Sequence, residues 1–408
     1  MQSRRHALAI GLAVAYSLAL LGDQMLYVFL PSHPEAAGIA AASLGLVLSA
    51  NRIVRLASNS LGGLLLDRLG RRGPYLCGMG LALVSTTGYL VAESLWPLLV
   101  GRVLWGIAFS LLSVGGVSLI LDHSTVADRG RAIGVYQALL ALGTLLALLL
   151  SGFLGDRLGY RGTLMVYAPL TAIGLLVSLW ALRGTRDIRA HPPASAAGVA
   201  PGTLATLRRL DPRLLAPAFV CFVTHFAGSG VVMATLGFQL KLLAAEPGTG
   251  PWFLPVASLT GVLLGGRRLA NMVMTPTSGL LLDRLDDRRI VAAAGVLAVL
   301  AGVIVLLGGR GVGAVVAGVL LVAIGEGFSQ PALVVWTGDG APPHVRGVVM
   351  GGLSTAGDLG AAIGPLVGYA LLESAGMRSA YTLCAVLTVS ALLVLGLVRG
   401  VAPAAQRA

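Results

Sequence analysis

The sequence predicts an all-α membrane protein with twelve transmembrane helices, arranged as two six-helix halves related by a pseudo-two-fold axis. Three observations predict this fold class. Hydrophobic residues make up 56% of the 408 residues and charged residues 11%, which leaves too few polar side chains to cover a surface in water. The segment Leu64–Leu69 recurs almost unchanged as Leu280–Leu285, roughly half the chain later. Twelve apolar runs are each long enough to cross a bilayer as a helix of about 20 residues.

The apolar runs give the order of the predicted helices. They are 6–30, 39–66, 74–93, 96–121, 131–154, 162–182, 214–240, 254–282, 290–308, 312–337, 347–372 and 379–399. Six runs precede and six follow a stretch that contains Pro192, Pro193 and several arginines. We therefore predict an N-terminal half at 1–182, a cytoplasmic linker at 183–213 and a C-terminal half at 214–408.

The basic residues predict the orientation of the helices. Alternating loops place 19 of the 29 Lys and Arg residues on the side of the N-terminus and five on the other side. Because positive loops stay in the cytoplasm, we expect both termini there. The net charge of +12 is accounted for by this topology, so no nucleic-acid partner is expected.

The internal repeat extends beyond the duplicated segment. At the same offset Arg52 aligns with Arg268 and Gly152 with Gly368. An even number of spans in each half makes this a parallel repeat about an axis along the membrane normal, with a substrate path expected between the halves.

The loop between the second and third spans carries a recognisable pattern. It contains Gly63, Leu65, Asp67, Arg68, Gly70, Arg71 and Arg72. With the duplication and the twelve spans, the chain resembles the major facilitator superfamily over its whole length. The second copy keeps Gly279, Leu281, Asp283 and Arg284 but has Asp286 and Asp287 where the first has Gly70 and Arg71. We expect these loops to form a cytoplasmic gate, a charge-assisted latch that breaks and re-forms as the halves rock. The alternative is that their arginines only fix topology.

The fourth span carries a second element of the resemblance, Arg102 followed by Gly106. In proton-coupled antiporters of the superfamily this arginine is linked to proton transfer. The fifth-span signature of drug antiporters is poorly kept, since the segment from Gly134 to Gly155 has no proline. The motifs are closest to the proton-coupled efflux branch, which resembles drug/H⁺ antiporters.

At least eight charged residues fall within predicted spans away from their ends, where each costs a few kcal/mol without a partner, water or a function. They are Asp23, Arg52, Arg55, Arg102, Arg267, Arg268, Glu326 and Asp358. Asp23 and Arg52 are predicted at compatible depths, so we expect Arg52 or Arg55 to pair with Asp23 while the other lines the cavity. Asp23 can then couple proton uptake to transport, unless the pair is a permanent structural one.

In the second half, Glu326 is the main predicted acid, reinforced by Asp358. Repeat symmetry with Arg52 makes Arg268 the expected counter-ion or substrate anchor, and Arg267 is expected to face a cytoplasmic or headgroup-accessible path. We assign seven residues to proton coupling and the substrate cavity: Asp23, Arg52, Arg55, Arg102, Arg268, Glu326 and Asp358. Asp122 and Asp339 are interpreted as helix-end and latch carboxylates, and His225 as a packing residue.

The function predicted is secondary transport of a small solute by alternating access, first as proton-coupled efflux. The chain has no P-loop for ATP, and its scattered His and Cys residues predict no enzyme, metal site or cofactor. Five positive against three negative charges in the spans indicate an anionic or zwitterionic solute. The alternatives are proton-coupled uptake of a small organic anion and a non-transporting sensor on a transporter fold. The Ala-, Gly-, Leu- and Arg-rich composition with one lysine indicates a bacterial chain and therefore the inner (plasma) membrane. The resemblance to the superfamily implies a monomer.

Overall fold

The computed structural model describes residues 2–125, 128–183, 185, 215–246, 253–285, 287–341 and 345–398, with side chains from residue 7 onward. Within these ranges the regular elements are all helices, which confirms the predicted all-α fold class. The predicted linker lies outside the described residues apart from Arg183 and Thr185, as does Asp286.

The long helices follow the apolar runs of the sequence. They are α1 Gln2–Phe29, α2 Leu44–Leu69, α3 Arg72–Val91, α4 Leu95–His123, α5 Arg129–Ala181, α6 Leu215–His225, α7 Met233–Ala244, α8 Val256–Leu282, α9 Arg288–Gly308, α10 Val312–Gly340, α11 Arg346–Ala375 and α12 Met377–Leu397. A π-helical turn, Phe226–Val232, joins α6 to α7, and two short 3₁₀ turns lie between α1 and α2.

Helix α5 contains two predicted spans in one element. Gly159 interrupts it with φ 69° and ψ −177°, a left-handed backbone that glycine adopts without a steric penalty. The hydroxyls of Ser151 and Tyr167, eight residues before and after Gly159, lie 3.1 Å apart, so the chain folds back at this residue.

In the described part of the chain, nine helical segments are long and apolar enough to cross a membrane. One is α5, which covers two predicted spans, and another joins α6 and α7 through the π turn. Helices α2 and α8 are long enough to cross a membrane, but their polar residues lower their mean hydropathy. These residues include Arg52 and Arg55 in α2 and Arg267 and Arg268 in α8. Each of the twelve predicted spans still coincides with a described helix or part of one.

The chain divides into two compact units. Unit 1 comprises Met1–Pro193 and Gly250–Gly265. Within it α1 packs along α5, and α4 packs against α2 and α3. The first turns of α8 belong to this unit, where the backbone nitrogen of Ser258 donates to Asp156 Oδ2 at 2.6 Å. Unit 1 is therefore a bundle in which α1 contacts α3, α4 and α5.

Unit 2 comprises Ala194–Thr249 and Gly266–Ala408. Its helices α9 and α10 approach so closely that a Cβ at Gly302 would lie 2.6 Å from the carbonyl oxygen of Gly318. Helix α11 packs against α6 and the π turn. Small residues at helix contacts are typical of membrane bundles, in which dispersion contacts replace the hydrophobic effect. The boundaries of the two predicted halves and the linker stay a prediction.

Candidate functional site

Unit 1 contains a buried polar group that we call the Asp23 cluster: Asp23, Gln24 and Tyr27 of α1, Asn51 of α2 and Arg102 of α4. Arg102 is 0% exposed and Asp23 6% exposed. Arg102 Nη1 donates to Asp23 Oδ1 in a salt bridge. The second oxygen of this carboxylate accepts from Gln24 Nε2 at 3.1 Å.

The remaining nitrogens of Arg102 also have acceptors. Its Nη2 donates to Asn51 Oδ1 at 2.7 Å and to Tyr27 Oη at 2.9 Å. Its Nε donates to the carbonyl oxygen of Val47 at 2.9 Å. A buried charge is tolerated when it is paired and its hydrogen bonds are satisfied. Arg102 therefore joins α1, α2 and α4 at one point.

The prediction that Arg52 or Arg55 pairs with Asp23 missed this partner. The guanidinium that holds the carboxylate comes from α4, because the packing of α4 against α2 brings Arg102 beside α1. Arg52 reaches the cluster through Tyr27: its Nε donates to Tyr27 Oη at 3.3 Å, and this hydroxyl also accepts from Arg102. The Arg55 guanidinium stacks over the ring of Phe109, 3.8 Å from its centroid.

Unit 2 contains a second buried group, the Glu326 cluster, formed by Ser229 of the π turn, Arg267 of α8 and Glu326 of α10. Glu326 is 4% exposed. Arg267 Nη2 donates to Glu326 Oε2 at 2.5 Å and to Ser229 Oγ at 2.7 Å. Ser229 Oγ donates to Glu326 Oε1 at 3.0 Å. The three side chains form a closed ring of hydrogen bonds.

The counter-ion of Glu326 is Arg267 and not Arg268, whereas the alternative role of Arg268 as a substrate anchor stays a prediction. Arg267 was expected to face a cytoplasmic or headgroup-accessible path, and it contacts Glu326 instead. Adjacent residues on a helix point about 100° apart, so only one of the two arginines can face Glu326, and the rotation of α8 selects Arg267. Arg268 is half-buried, and the described residues offer no acceptor to its Nε.

The other predicted site residue of unit 2, Asp358, lies half-buried on α11. Its role in the cavity stays a prediction. His225 ends α6, where its Nδ1 lies 2.9 Å from the carbonyl oxygen of Cys221 and 3.0 Å from Gln330 Nε2. These contacts agree with a packing role.

The loop motif forms a network at one end of unit 1. Arg71 Nη1 donates to Asp67 Oδ1 at 2.6 Å, and Arg71 Nε donates to Asp122 Oδ2 at 3.1 Å. Partial burial opposes the charge of Arg71, but these hydrogen bonds outweigh it and raise the pKa of the guanidinium. Gly70 allows the turn with φ 89°. The latch thus ties α2, the loop and α4 together within one unit.

Unit 2 repeats part of this network. Arg288 Nε lies 3.5 Å from Asp339 Oδ2, which repeats the contact between Arg71 and Asp122. Asp287 precedes α9 and accepts from the backbone nitrogen of Arg289 at 3.0 Å. Hydrogen bonds from the Arg289 side chain lower the pKa of Asp287, against a smaller opposite effect of burial. Asp122 and Asp339, interpreted from the sequence as helix-end and latch carboxylates, thus each contact a loop arginine, and their role in a gate stays a prediction.

The remaining positions of the motif have simpler surroundings. A Cβ added at Gly63 would meet no heavy atom within 4 Å, and Arg68, Asp283 and Arg284 lie at the same end of their units as the latch. Arg72 begins α3. Among the described residues, no group of three or more His, Cys, Asp or Glu side chains is placed to hold a metal ion.

Comparison with known families decides the identity of the fold. Residues 12–271 and 256–408 match the family model described as Major Facilitator Superfamily. The chain belongs to this superfamily. The resemblance predicted from the loop motif and the duplication is confirmed, and the chain is a multi-pass membrane protein.

Relatives within the superfamily cover different shares of the chain. Multidrug resistance protein MdtG of Escherichia fergusonii is 23% identical over 369 residues, which is 88% of this chain and 86% of that protein. The probable vesicular acetylcholine transporter-B of Danio rerio is 31% identical over 170 residues, 38% of this chain and 34% of that protein. The vesicular acetylcholine transporter of Rattus norvegicus matches over 26% of its length. The chain thus aligns with about a third or less of the vesicular acetylcholine transporters.

Solved structures share the superfamily fold at low sequence identity. The nucleoside transporter NupG superposes with a TM-score of 0.77 at 14% identity, covering 95% of this chain and 97% of that one. A bacterial homologue of the human lysosomal transporter Spinster gives a TM-score of 0.73 at 16% identity, covering 97% and 95%. All of these proteins are named as transporters or as resistance proteins, and none of them is named as an enzyme.

Proposed function

We propose that the chain is a secondary active transporter that moves a small solute by alternating access and exports it in exchange for protons. The observation that carries this proposal is the pair of buried clusters, in which Asp23 contacts Arg102 and Glu326 contacts Arg267. Ionisable groups inside membrane spans are costly and mark substrate or proton pathways. Each unit supplies one such carboxylate.

The clusters support proton coupling because a proton and an arginine compete for the same carboxylate. A low-dielectric site favours the protonated carboxyl, whereas a contacting guanidinium favours the carboxylate. When a proton binds Asp23, Arg102 loses its anionic partner and its contacts across α1, α2 and α4 must rearrange. Proton binding at Glu326 releases Arg267 in the same way. Occupancy by protons is thereby linked to helix packing, which is what coupled transport needs.

The proposed solute is anionic or zwitterionic. The predicted spans hold five inner arginines against three inner acids, which is an excess of guanidinium groups. Arg52 and Arg55 lie half-buried three residues apart on one face of α2. A carboxylate or phosphate group fits the bidentate geometry of such arginines.

Efflux is favoured over uptake by the match with a multidrug resistance protein over 88% of the chain. Proton-coupled uptake of a small organic anion is the alternative within the class, and a non-transporting sensor is the alternative outside it. We place the protein in the inner (plasma) membrane of a bacterium as a monomer with both termini in the cytoplasm. Protease cleavage of tags on each terminus, in intact cells against lysed cells, tests that orientation.

The decisive experiment is solute-triggered proton movement in proteoliposomes with a trapped pH dye. Organic acids and cationic drugs are compared for the wild type, Asp23→Asn and Glu326→Gln. A matched control is Glu93→Gln, since Glu93 forms an exposed salt bridge with Arg161. We expect an anion to drive proton movement that both buried substitutions abolish and the control keeps. Solute flux without proton movement contradicts coupling, and absence of any flux supports the sensor.

A further inference from the structure

The segment that joins α6 to α7 and contacts Glu326 is not a regular α-helix. Residues Phe226–Val232 form a π-helical turn. Such a turn accommodates one residue more than the α-helical turn it replaces, and π turns occur frequently at functional sites. The residues of the turn that contact Glu326 are Gly228 and Ser229.

Gly228 brings the backbone of the turn directly against the carboxylate. A Cβ added at this position would lie 2.4 Å from Glu326 Oε1 and 2.5 Å from its Cδ. Arg267 and Ser229 hold the carboxylate where it is, so it cannot move aside freely. Only glycine therefore fits beside Glu326 in this arrangement.

The opposite side of the turn is fixed by α11. A Cβ added at Gly230 would lie 2.8 Å from the Cα of Gly364 and 3.2 Å from the carbonyl oxygen of Gly360. The turn is thus packed between the backbone of α11 and the carboxylate of α10. This packing holds Ser229 toward the ion pair.

The Ser229 hydroxyl completes the hydrogen bonding of the pair. It accepts from Arg267 Nη2 and donates to Glu326 Oε1. Its donated bond stabilises the charged carboxylate, since hydrogen bonds to the charged form favour that form. Removal of the extra residue gives the turn α-helical spacing of about 100° per residue. The flanking helices α6 and α7 then keep their facing, while Ser229 inside the turn rotates and its hydroxyl is withdrawn from the pair.

We propose that the π turn positions Ser229 so that its hydroxyl controls how readily Glu326 takes up a proton, and that Ser229 is a positioning residue of the transport cycle. The proposal deepens the function proposed above and rests on it, because proton uptake at Glu326 is assigned there.

Other charged or titratable side chains lie within the elements around Glu326, away from the helix ends. They are Arg267 and Arg268 of α8, Asp358 of α11, and Cys221 and His225 of α6, of which His225 interacts electrostatically with Glu326. Helix α9 has no titratable side chain between residues 290 and 308. Loss of the Ser229 hydroxyl leaves all of these groups in place.

The first test measures proton binding at Glu326 without any transport. Infrared difference spectra of the purified protein, wild type minus Glu326→Gln, report the protonated carboxyl of Glu326 as pH is varied. In Ser229→Ala we expect Glu326 to bind protons roughly tenfold more tightly, since a hydrogen bond to a charged group contributes on that order. Ser229→Thr keeps the hydroxyl and is expected to titrate like the wild type.

The control for this test is Thr224→Val. The Thr224 hydroxyl is buried in α6 and donates only to backbone oxygens of its own helix, at 3.0 Å and 3.1 Å. We expect this variant to titrate like the wild type. A Ser229→Ala protein whose Glu326 titration equals that of the wild type overturns the proposal.

The second test removes the extra residue of the π turn. Deletion of Ala227 is expected to close the turn to α-helix, leave the facing of α6 and α7 unchanged, and reproduce the titration of Ser229→Ala. Deletion of Ala234, in regular helix α7, rotates every later residue of that helix and is expected to prevent folding. An Ala227 deletion that unfolds like the Ala234 deletion refutes the role of the turn, and Ser229→Ala still decides the role of the hydroxyl.

The two proposals fail in different measurements. If Glu326→Gln moves protons in proteoliposomes like the wild type, the proposed function loses its second proton site. If Glu326→Gln abolishes proton movement while Ser229→Ala changes neither the infrared titration nor the pH profile of transport, only the role of Ser229 is refuted.

Discussion

The salt bridge between Asp23 and Arg102 gives the sharpest prediction about stability. Replacing Asp23 by Leu removes the anionic contact of a guanidinium that is 0% exposed. Replacing Arg102 by Met leaves the Asp23 carboxylate, 6% exposed, without its cation. Replacing both leaves two apolar side chains and no buried charge.

The magnitude follows from the contacts. Removing one partner of a buried ion pair costs about 3–5 kcal/mol, whereas replacing both by apolar residues is often neutral. Arg102 keeps acceptors on Tyr27, Asn51 and Val47, so we expect the lower end, about 3 kcal/mol, for Asp23→Leu. For a unit of this size a loss of 1 kcal/mol lowers Tm by about 2–4 °C, so Tm falls by about 6–12 °C.

The assay is thermal unfolding of the purified protein in one detergent, followed by intrinsic fluorescence for the wild type, both single variants and the double variant. We expect the double variant to be more stable than either single variant. The exposed pair of Glu93 and Arg161 is the reference, with a coupling below about 1 kcal/mol. A double variant whose Tm loss equals the sum of the two single losses refutes the reasoning.

Three further predictions concern packing, acid sensitivity and the loop. Gly302→Ala places a Cβ 2.6 Å from the Gly318 carbonyl oxygen and is expected to lower the free energy of unfolding by about 1–3 kcal/mol, measured by thermal melts. A Cβ at Gly308 would have no heavy atom within 4 Å, so Gly308→Ala is expected to keep the Tm of the wild type. Equal losses of Tm in the two variants contradict the prediction. Because Arg289 lowers the pKa of Asp287, the Asp287 carboxylate stabilises the fold above its ordinary pKa of about 3.9. This stabilisation is lost as pH falls through the lowered pKa. Asp287→Asn keeps a helix cap and is expected to remove this loss of stability from thermal melts below about pH 4, and a variant with the same acid slope as the wild type contradicts the prediction. Arg71→Gln and Asp122→Asn are each expected to slow solute flux, with the double variant no slower than Arg71→Gln; additive losses show that the two residues act separately.

The helices could be predicted because bilayer thickness sets the length of a membrane-spanning helix, and because the apolar composition shows that these helices lie in lipid. The contacts inside the units could be predicted less well. Asp23 was matched to Arg52 by depth along the membrane, but depth does not say which neighbouring helix is adjacent, and Arg102 lies on α4. Asp122 and Asp339 could be placed at helix ends near the loop arginines because helix ends lie at a known depth beside the loops.

The Glu326 cluster shows a second limit of sequence reasoning. The repeat aligned Arg268 with Arg52. Alignment of the two halves does not say which of two adjacent residues on a helix faces a given neighbour, and in α8 it is Arg267 that faces Glu326. The π turn is hidden for a similar reason, since an apolar run has the same composition with or without one extra residue. Gly228 and Gly230 on either side of Ser229 were the available signal.

The ion pairs Asp23–Arg102 and Glu326–Arg267 are each formed within one compact unit, which has a consequence for biosynthesis. Asp23 and Arg102 are both present once the ribosome has made α4, and Arg267 and Glu326 once it has made α10. The translocon can therefore release each group of helices into lipid with these charges already neutralised, without waiting for the other half. Two fragments made from separate messages, cut in the linker, are expected to insert independently and to assemble afterwards in the membrane.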